Sequence, residues 1–252
     1  MAKAGRWHIL KYLILGCGVL GCLLRSTLYS SAVDEKGLLI SGHWAEICLW
    51  ALTALTAGIL FLLPSKTQAK NIRVAYPPSG ISAAGAILAG VALAICGIPG
   101  FVGGNLGLAE VVLRFAGAGA LACTGFCRFT GRKPFFLFHG TVCVYLALRM
   151  ICQYRLWCAD PQLLNYCFQL GAYVSLMFFA YQLAALDAEL PNPRKLWVTG
   201  LAAVYLCSVS LPGSGEAFFL LCCGIWALTN LSSPVSCENV THPNESDQEE
   251  SQ

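Results

Sequence analysis

Charged side chains are scarce in this sequence. Asp, Glu, Lys and Arg make up 12% of its 252 residues, about half of the roughly 25% usual in a soluble domain. Hydrophobic residues reach 57%, glycines number 25, and the mean hydropathy is +0.64. That balance excludes an ordinary soluble domain and implies an all-α polytopic membrane protein with the lipid bilayer as its main partner. The net charge of +3 is too weak to indicate a nucleic-acid partner.

Catalytic motifs are missing as well. No His-Glu-x-x-His, Gly-x-Ser-x-Gly or Asp-x-x-Asp cluster occurs, and membrane proteases and prenyl transferases need such constellations. An enzyme is not expected, nor is a cofactor or a metal. The 14 cysteines include no Cys-x-x-Cys pair. Most lie in apolar segments, where a free thiol packs as a small hydrophobe. Cys152 and Cys158 flank a short loop and would pair only in an oxidising compartment. The run from Gly100 to Gly107 has no Lys, Ser or Thr to hold a phosphate, so it reads as a flexible loop. The first apolar stretch follows Lys3, Arg6 and Lys11 but lacks a small-x-small cleavage site, which predicts a retained first helix.

What the chain does have is apolar runs of spanning length, which is roughly 20 residues. Eight are expected, over about 9–30, 43–63, 80–98, 107–127, 134–153, 162–186, 196–211 and 214–231. The last two are short, and a hairpin that does not fully cross is the alternative there. Basic residues test the layout. Lys3, Arg6 and Lys11 precede segment 1, and Lys66, Lys70 and Arg73 follow segment 2. Arg128, Arg132 and Lys133 follow segment 4, and Arg194 and Lys195 follow segment 6. Every second loop is basic, so the positive-inside rule places both termini in the cytoplasm of a cell-membrane protein. The transmembrane domain is then 1–231, and 232–252 is an acidic tail expected to be disordered and able to recruit a cytoplasmic partner. Its Asn-x-Ser/Thr matches on that side are chance.

Residues 1–127 set against 134–231 suggest a duplication. Leu24-Arg25 falls on Leu148-Arg149, Leu38-Leu39 on Leu163-Leu164, and Glu46 on Gln169. Ile98-Pro99-Gly100 falls on Leu211-Pro212-Gly213, and Glu110 on Glu216. Four helices per half give a parallel repeat about an axis along the membrane normal.

Ionisable groups within apolar segments cost roughly 2.5–3.5 kcal/mol each at a helix centre. Arg25, Glu46, Glu110, Arg114 and Arg149 fall in the outer half of the expected bundle, and His139 lies alone near the inner edge. Glu110 and Arg114 are one turn apart and can pair. Two arrangements follow. In one, Arg25 and Arg149 snorkel to headgroups and Glu110–Arg114 is a structural tie. In the other, Arg25, Arg114 and Arg149 line an outward-facing pocket for a small anionic or zwitterionic ligand, with Glu46, Glu110, Gln169 and Glu216 balancing charge. The second implies a transporter-like protein, the first a non-catalytic subunit, sensor or scaffold. A cavity reaching past the arginines would mark the transporter, and a filled interior the scaffold. Because Gln169 replaces Glu46 in the second half, Glu46 is expected to be the asymmetric acid of the site.

Overall fold

The computed structural model describes residues 2–31, 42–62, 72–75, 77–102, 107–158, 166–190, 192–233 and 236–239. Eight α-helices appear among them: α1 (Ala2–Ser31), α2 (Trp44–Phe61), α3 (Gly80–Val102), α4 (Leu108–Thr130), α5 (Phe136–Trp157), α6 (Cys167–Asp187), α7 (Pro193–Val209) and α8 (Ala217–Ser232). Six of them, α1 to α6, are long and apolar enough to cross a membrane. This is an all-α polytopic membrane protein.

Successive helices run up and down. Long-range side-chain bonds tie the starts of α1, α3 and α5 to the ends of α8 and α6 at one level. Lys11 Nζ donates to Ser232 Oγ at 3.0 Å, Ser82 Oγ to Asn230 Oδ1 at 3.0 Å, and His139 meets Asp187. This level also carries Arg128, Arg132, Lys133, Arg194 and Lys195 and is called the basic end below. The opposite level is the far end.

α7 and α8 have 17 and 16 residues, roughly 24–26 Å at 1.5 Å per residue. That is shorter than the hydrocarbon core of about 30 Å. They still run the height of the bundle, because α8 is tied to Ser82 and Lys11 at the basic end and its N-cap, Glu216, meets α4, α5 and α6 at the far end.

The helices α3, α4, α5, α6, α7 and α8 close into a ring in that order, each packed on the next and α8 back on α3. α1 packs outside on α7, and α2 packs on α1 and only edges α7. The main neighbours therefore differ between the two halves: α5 packs on α4 and α6, whereas α1 packs on α2 and α7. Small residues allow the closest approach, between α3 and α4. A Cβ on Gly90 would lie 2.9 Å from the Ala118 carbonyl oxygen, so the glycine lets two backbones touch.

Inside the ring, Tyr145, Leu146, Phe179, Phe219, Cys223 and Trp226 are all 3% exposed or less. Trp226 meets Phe179 edge-on, and Tyr145 meets Phe219 edge-on. The outside is apolar too, with Leu13, Leu20, Leu23, Ile47, Leu55, Phe115 and Phe126 exposed. In water such a surface would aggregate, while in lipid it costs nothing.

Two expectations change. The segment ending at Pro99 continues as helix to Val102. Proline removes one amide donor, but the other backbone groups in an apolar medium still need helical partners. The tail expected to be disordered forms a strand over Ser236–Asn239, paired antiparallel with Ile72–Ala75. Cys152 and Cys158 are both free thiols. The matched pairs Leu38-Leu39 and Leu163-Leu164, and the tail from 240, lie outside the described residues.

Candidate functional site

Four short sequence relationships build the site. On α4, Glu110 sits in the first turn and Arg114 one turn later, so both project from one face. On α5, Tyr145 and Arg149 have the same spacing, and on α6 so do Gln169 and Tyr173. Glu216 is the N-cap of α8, where the Gly213-Ser-Gly turn ends, and its amide donates to Ser214 Oγ at 3.1 Å. Up-and-down packing brings these faces together at the far end of the ring.

Arg149 is the hub. Its Nη1 donates to Glu110 Oε1 at 2.6 Å. Its Nη2 donates to Glu216 Oε1, and its Nε lies 3.4 Å from Glu216 Oε2, so the guanidinium grips that carboxylate as a fork. Arg114 Nη2 stands 3.4 Å from Oε1 of both Glu110 and Glu216. The Tyr173 hydroxyl donates to Glu216 Oε2, and Gln169 Nε2 donates to the Tyr173 oxygen at 3.5 Å. Arg114 also lies over the Tyr145 ring, 5.6 Å from its centroid.

The cluster is electrically balanced, with two arginines facing two glutamates. Arg114 is 1% and Glu110 6% exposed, while the Arg149 and Glu216 side chains keep 11% and 13%. Both acids occupy helix N-termini, where the macrodipole favours negative charge by about 0.3–1 kcal/mol. Gly97 on α3 makes room for the arginine stem, since a Cβ there would sit 2.5 Å from Arg114 Cδ. Arg114 Nε and the Tyr145 hydroxyl are buried without a hydrogen-bond partner.

Of the residues singled out from sequence, Glu110, Arg114, Arg149, Gln169 and Glu216 thus share one cluster. Arg25 and Glu46 do not join it. Arg25 is buried where α1 meets the end of α7. Its Nη1 donates to the Val209 carbonyl at 3.3 Å and its Nη2 to the Tyr29 hydroxyl at 3.4 Å. The guanidinium also lies over Phe168 and Tyr29. A cation at a helix C-terminus satisfies carbonyls that have no partner inside the helix. Glu46 works locally: its Oε2 accepts from the Gly42 amide at 3.0 Å in the first turn of α2, where His43 is the N-cap. The glutamate expected to be the asymmetric acid is a capping residue.

Sequence reading missed Tyr173, although its spacing from Gln169 was a usable signal. It also took His139 for a lone histidine. His139 Nδ1 meets Asp187 Oδ2 at 2.5 Å, both are buried, and the imidazole stacks on Trp226. The signal was present in the topology, since segment 6 ends with Asp187 at the level where segment 5 begins.

A cavity of about 610 Å³ opens at the basic end between α2, α6 and α7, and one of about 80 Å³ lies among α1, α7 and α8. Neither is lined by the Arg–Glu cluster. Comparison with protein-family models, curated proteins and solved structures finds no match.

Proposed function

We propose that this chain is a transporter-like membrane protein that binds a small anionic or zwitterionic ligand at the Glu110–Arg114–Arg149–Glu216 cluster, with its basic end in the cytoplasm. The observation that carries the proposal is the double engagement of Arg149, which donates to both Glu110 and Glu216. One carboxylate would neutralise it. Two buried ion pairs are a poor way to hold helices together, because apolar residues of the same volume often give equal or greater stability. Ionisable groups retained in a membrane interior are therefore functional candidates by default. A ligand carboxylate or phosphate matches the arginine fork in the same way as Glu216 does. Binding would hand a guanidinium from a glutamate to the ligand, leaving the glutamate to accept a proton or a cationic group.

The packed interior beneath the cluster, from Tyr145 and Phe219 to Trp226, and two cavities that the cluster does not line meet the filled-interior mark of the scaffold and favour a second reading. There the cluster is a structural tie in a non-catalytic subunit, sensor or scaffold.

One experiment separates the two. Purified protein in detergent is melted with a panel of carboxylates, phosphates and amino acids, and the hits are tested for uptake into proteoliposomes. The proposal expects at least one compound to raise the melting temperature and to be taken up. It also expects the balanced double variant Arg149→Gln with Glu216→Gln to fold but lose both effects. A folded double variant that keeps them, or a panel with no hit, sinks the transporter reading and leaves the scaffold.

A further inference from the structure

The large cavity at the basic end stands apart from the Arg–Glu cluster. α2 and α6 converge at the far end, where the Trp50 and Phe168 rings are 5.1 Å apart. Toward the basic end a gap opens between Phe61 on α2 and Phe178 and Tyr181 on α6. The gap is a groove of about 610 Å³ with α7 as its floor. Its flanks are apolar, with Phe61 on α2, Phe178 and Tyr181 on α6, and Val198 on α7. Its polar lining is Gln182, Asn192, Thr199 and two cations, Arg194 and Lys195, at the start of α7, with no Asp or Glu among the described residues. Arg194 reaches across the mouth, with Nη2 3.4 Å from the Phe61 carbonyl oxygen.

A groove between spanning helices is not left empty in a bilayer. A void forfeits dispersion contacts along its walls, and water there would be poorly bonded against apolar flanks. A lipid chain fills such a space. The headgroup is then selected by the charge at the mouth, and paired cations between helices on the cytoplasmic side suit a phosphate that bears net negative charge.

We propose that the α2–α6–α7 groove is a binding site for an anionic phospholipid of the leaflet at the basic end. One acyl chain lies against Phe61, Phe178, Tyr181 and Val198, and the headgroup phosphate is held by Arg194 and Lys195. The occupant is a lipid rather than a free phosphate because Leu60, Phe61, Phe178, Tyr181 and Val198 leave an apolar wall beside the cations.

The test is native mass spectrometry of the full chain in detergent, titrated with phosphatidylglycerol and, separately, phosphatidylcholine. Phosphatidylglycerol is expected to bind about 10- to 30-fold more tightly, the size set by two cations near a membrane surface. Arg194→Gln with Lys195→Gln should abolish that preference, and Val198→Trp, which fills the floor, should weaken both lipids. Equal binding of the two lipids to the natural chain overturns the proposal. So does an undiminished preference in the double variant, or displacement of phosphatidylglycerol by millimolar inorganic phosphate. If the double variant melts early, Lys195→Gln alone, at an exposed position, must still reduce the preference, and an unchanged one overturns the site.

Discussion

Arg149 and Glu216 lie 67 residues apart in the chain and meet as a fork on a carboxylate, with Nη2 donating to Oε1 and Nε facing Oε2. The pair joins the second half of α5 to the residue just before α8, and Glu110 and Tyr173 complete it from α4 and α6. Four elements of the six-helix ring are therefore held at one point.

The first prediction follows from how unevenly such a pair responds to change. Removing one partner of a buried pair leaves an uncompensated charge, which costs about 3–5 kcal/mol. Arg149→Met should therefore lower the melting temperature sharply in detergent, because it leaves two carboxylates facing Arg114 alone. Restoring balance with Glu216→Gln should recover most of the loss, since neutral replacement of a whole pair is often tolerated. Melting curves of the single and double variants check this. A double variant less stable than Arg149→Met would show that Glu216 acts through something other than its charge.

The second prediction concerns His139 and Asp187, at the basic end of the same ring. Their bond is buried on all sides, with 0% and 2% of the residues exposed. Groups in direct contact in a low-dielectric interior couple by about 0.5–3 kcal/mol. A double-mutant cycle of His139→Phe and Asp187→Asn should show coupling in that range, whereas a cycle of His139→Phe with Arg149→Met, at the other end of α5, should be additive to within about 0.5 kcal/mol. Chemical denaturation in mixed micelles measures both. Strong coupling of His139 to Arg149 would mean that the two polar stations act as one unit through Tyr145 and Trp226.

The contrast between these residues shows how far sequence could lead. Glu110, Arg114 and Arg149 stand out because a charge within an apolar run is expensive, and that expense is visible from composition alone. Their convergence depends on up-and-down packing at a common depth, which the alternating basic loops already supplied. Arg25 and Glu46 carry the same signal but end elsewhere. Each lies within reach of backbone groups at a helix terminus, the Val209 carbonyl and the Gly42 amide. Sequence shows that a buried charge needs a partner, not whether the partner is a side chain or a helix end. Asp187 failed to register for a related reason. It terminates its helix, so it resembles a loop residue until α5 is packed beside it. The ring closure of α8 on α3 uses Gly85, where a Cβ would run into Thr229 Oγ1, and a glycine permits close approach without naming the neighbour.

The third prediction tests the orientation on which the proposed lipid site depends. The start of α7 and the end of α4 lie at the same level, and Lys133 at the start of the α4–α5 connection bonds Glu189, just past α6, at 2.6 Å. α8 ends at that level too, through Asn230 and Lys11. If basic loops are retained on the cytoplasmic side, reporters fused after Asn230 and after Lys133 must both report cytoplasm. One placed between α5 and α6 must report the opposite side. Because α7 and α8 are short, a reporter in the turn between them, at Gly215, must also report the opposite side. An outside signal after Asn230 combined with an inside signal after Lys133 would mean that the α7–α8 hairpin does not return across the membrane. The 3.0 Å bonds from Ser82 to Asn230 and from Lys11 to Ser232 would then not exist in the bilayer. Disrupting them with Ser82→Ala and Lys11→Ala would leave stability unchanged, where the eight-span bundle expects a loss of about 1 kcal/mol for each buried hydrogen bond.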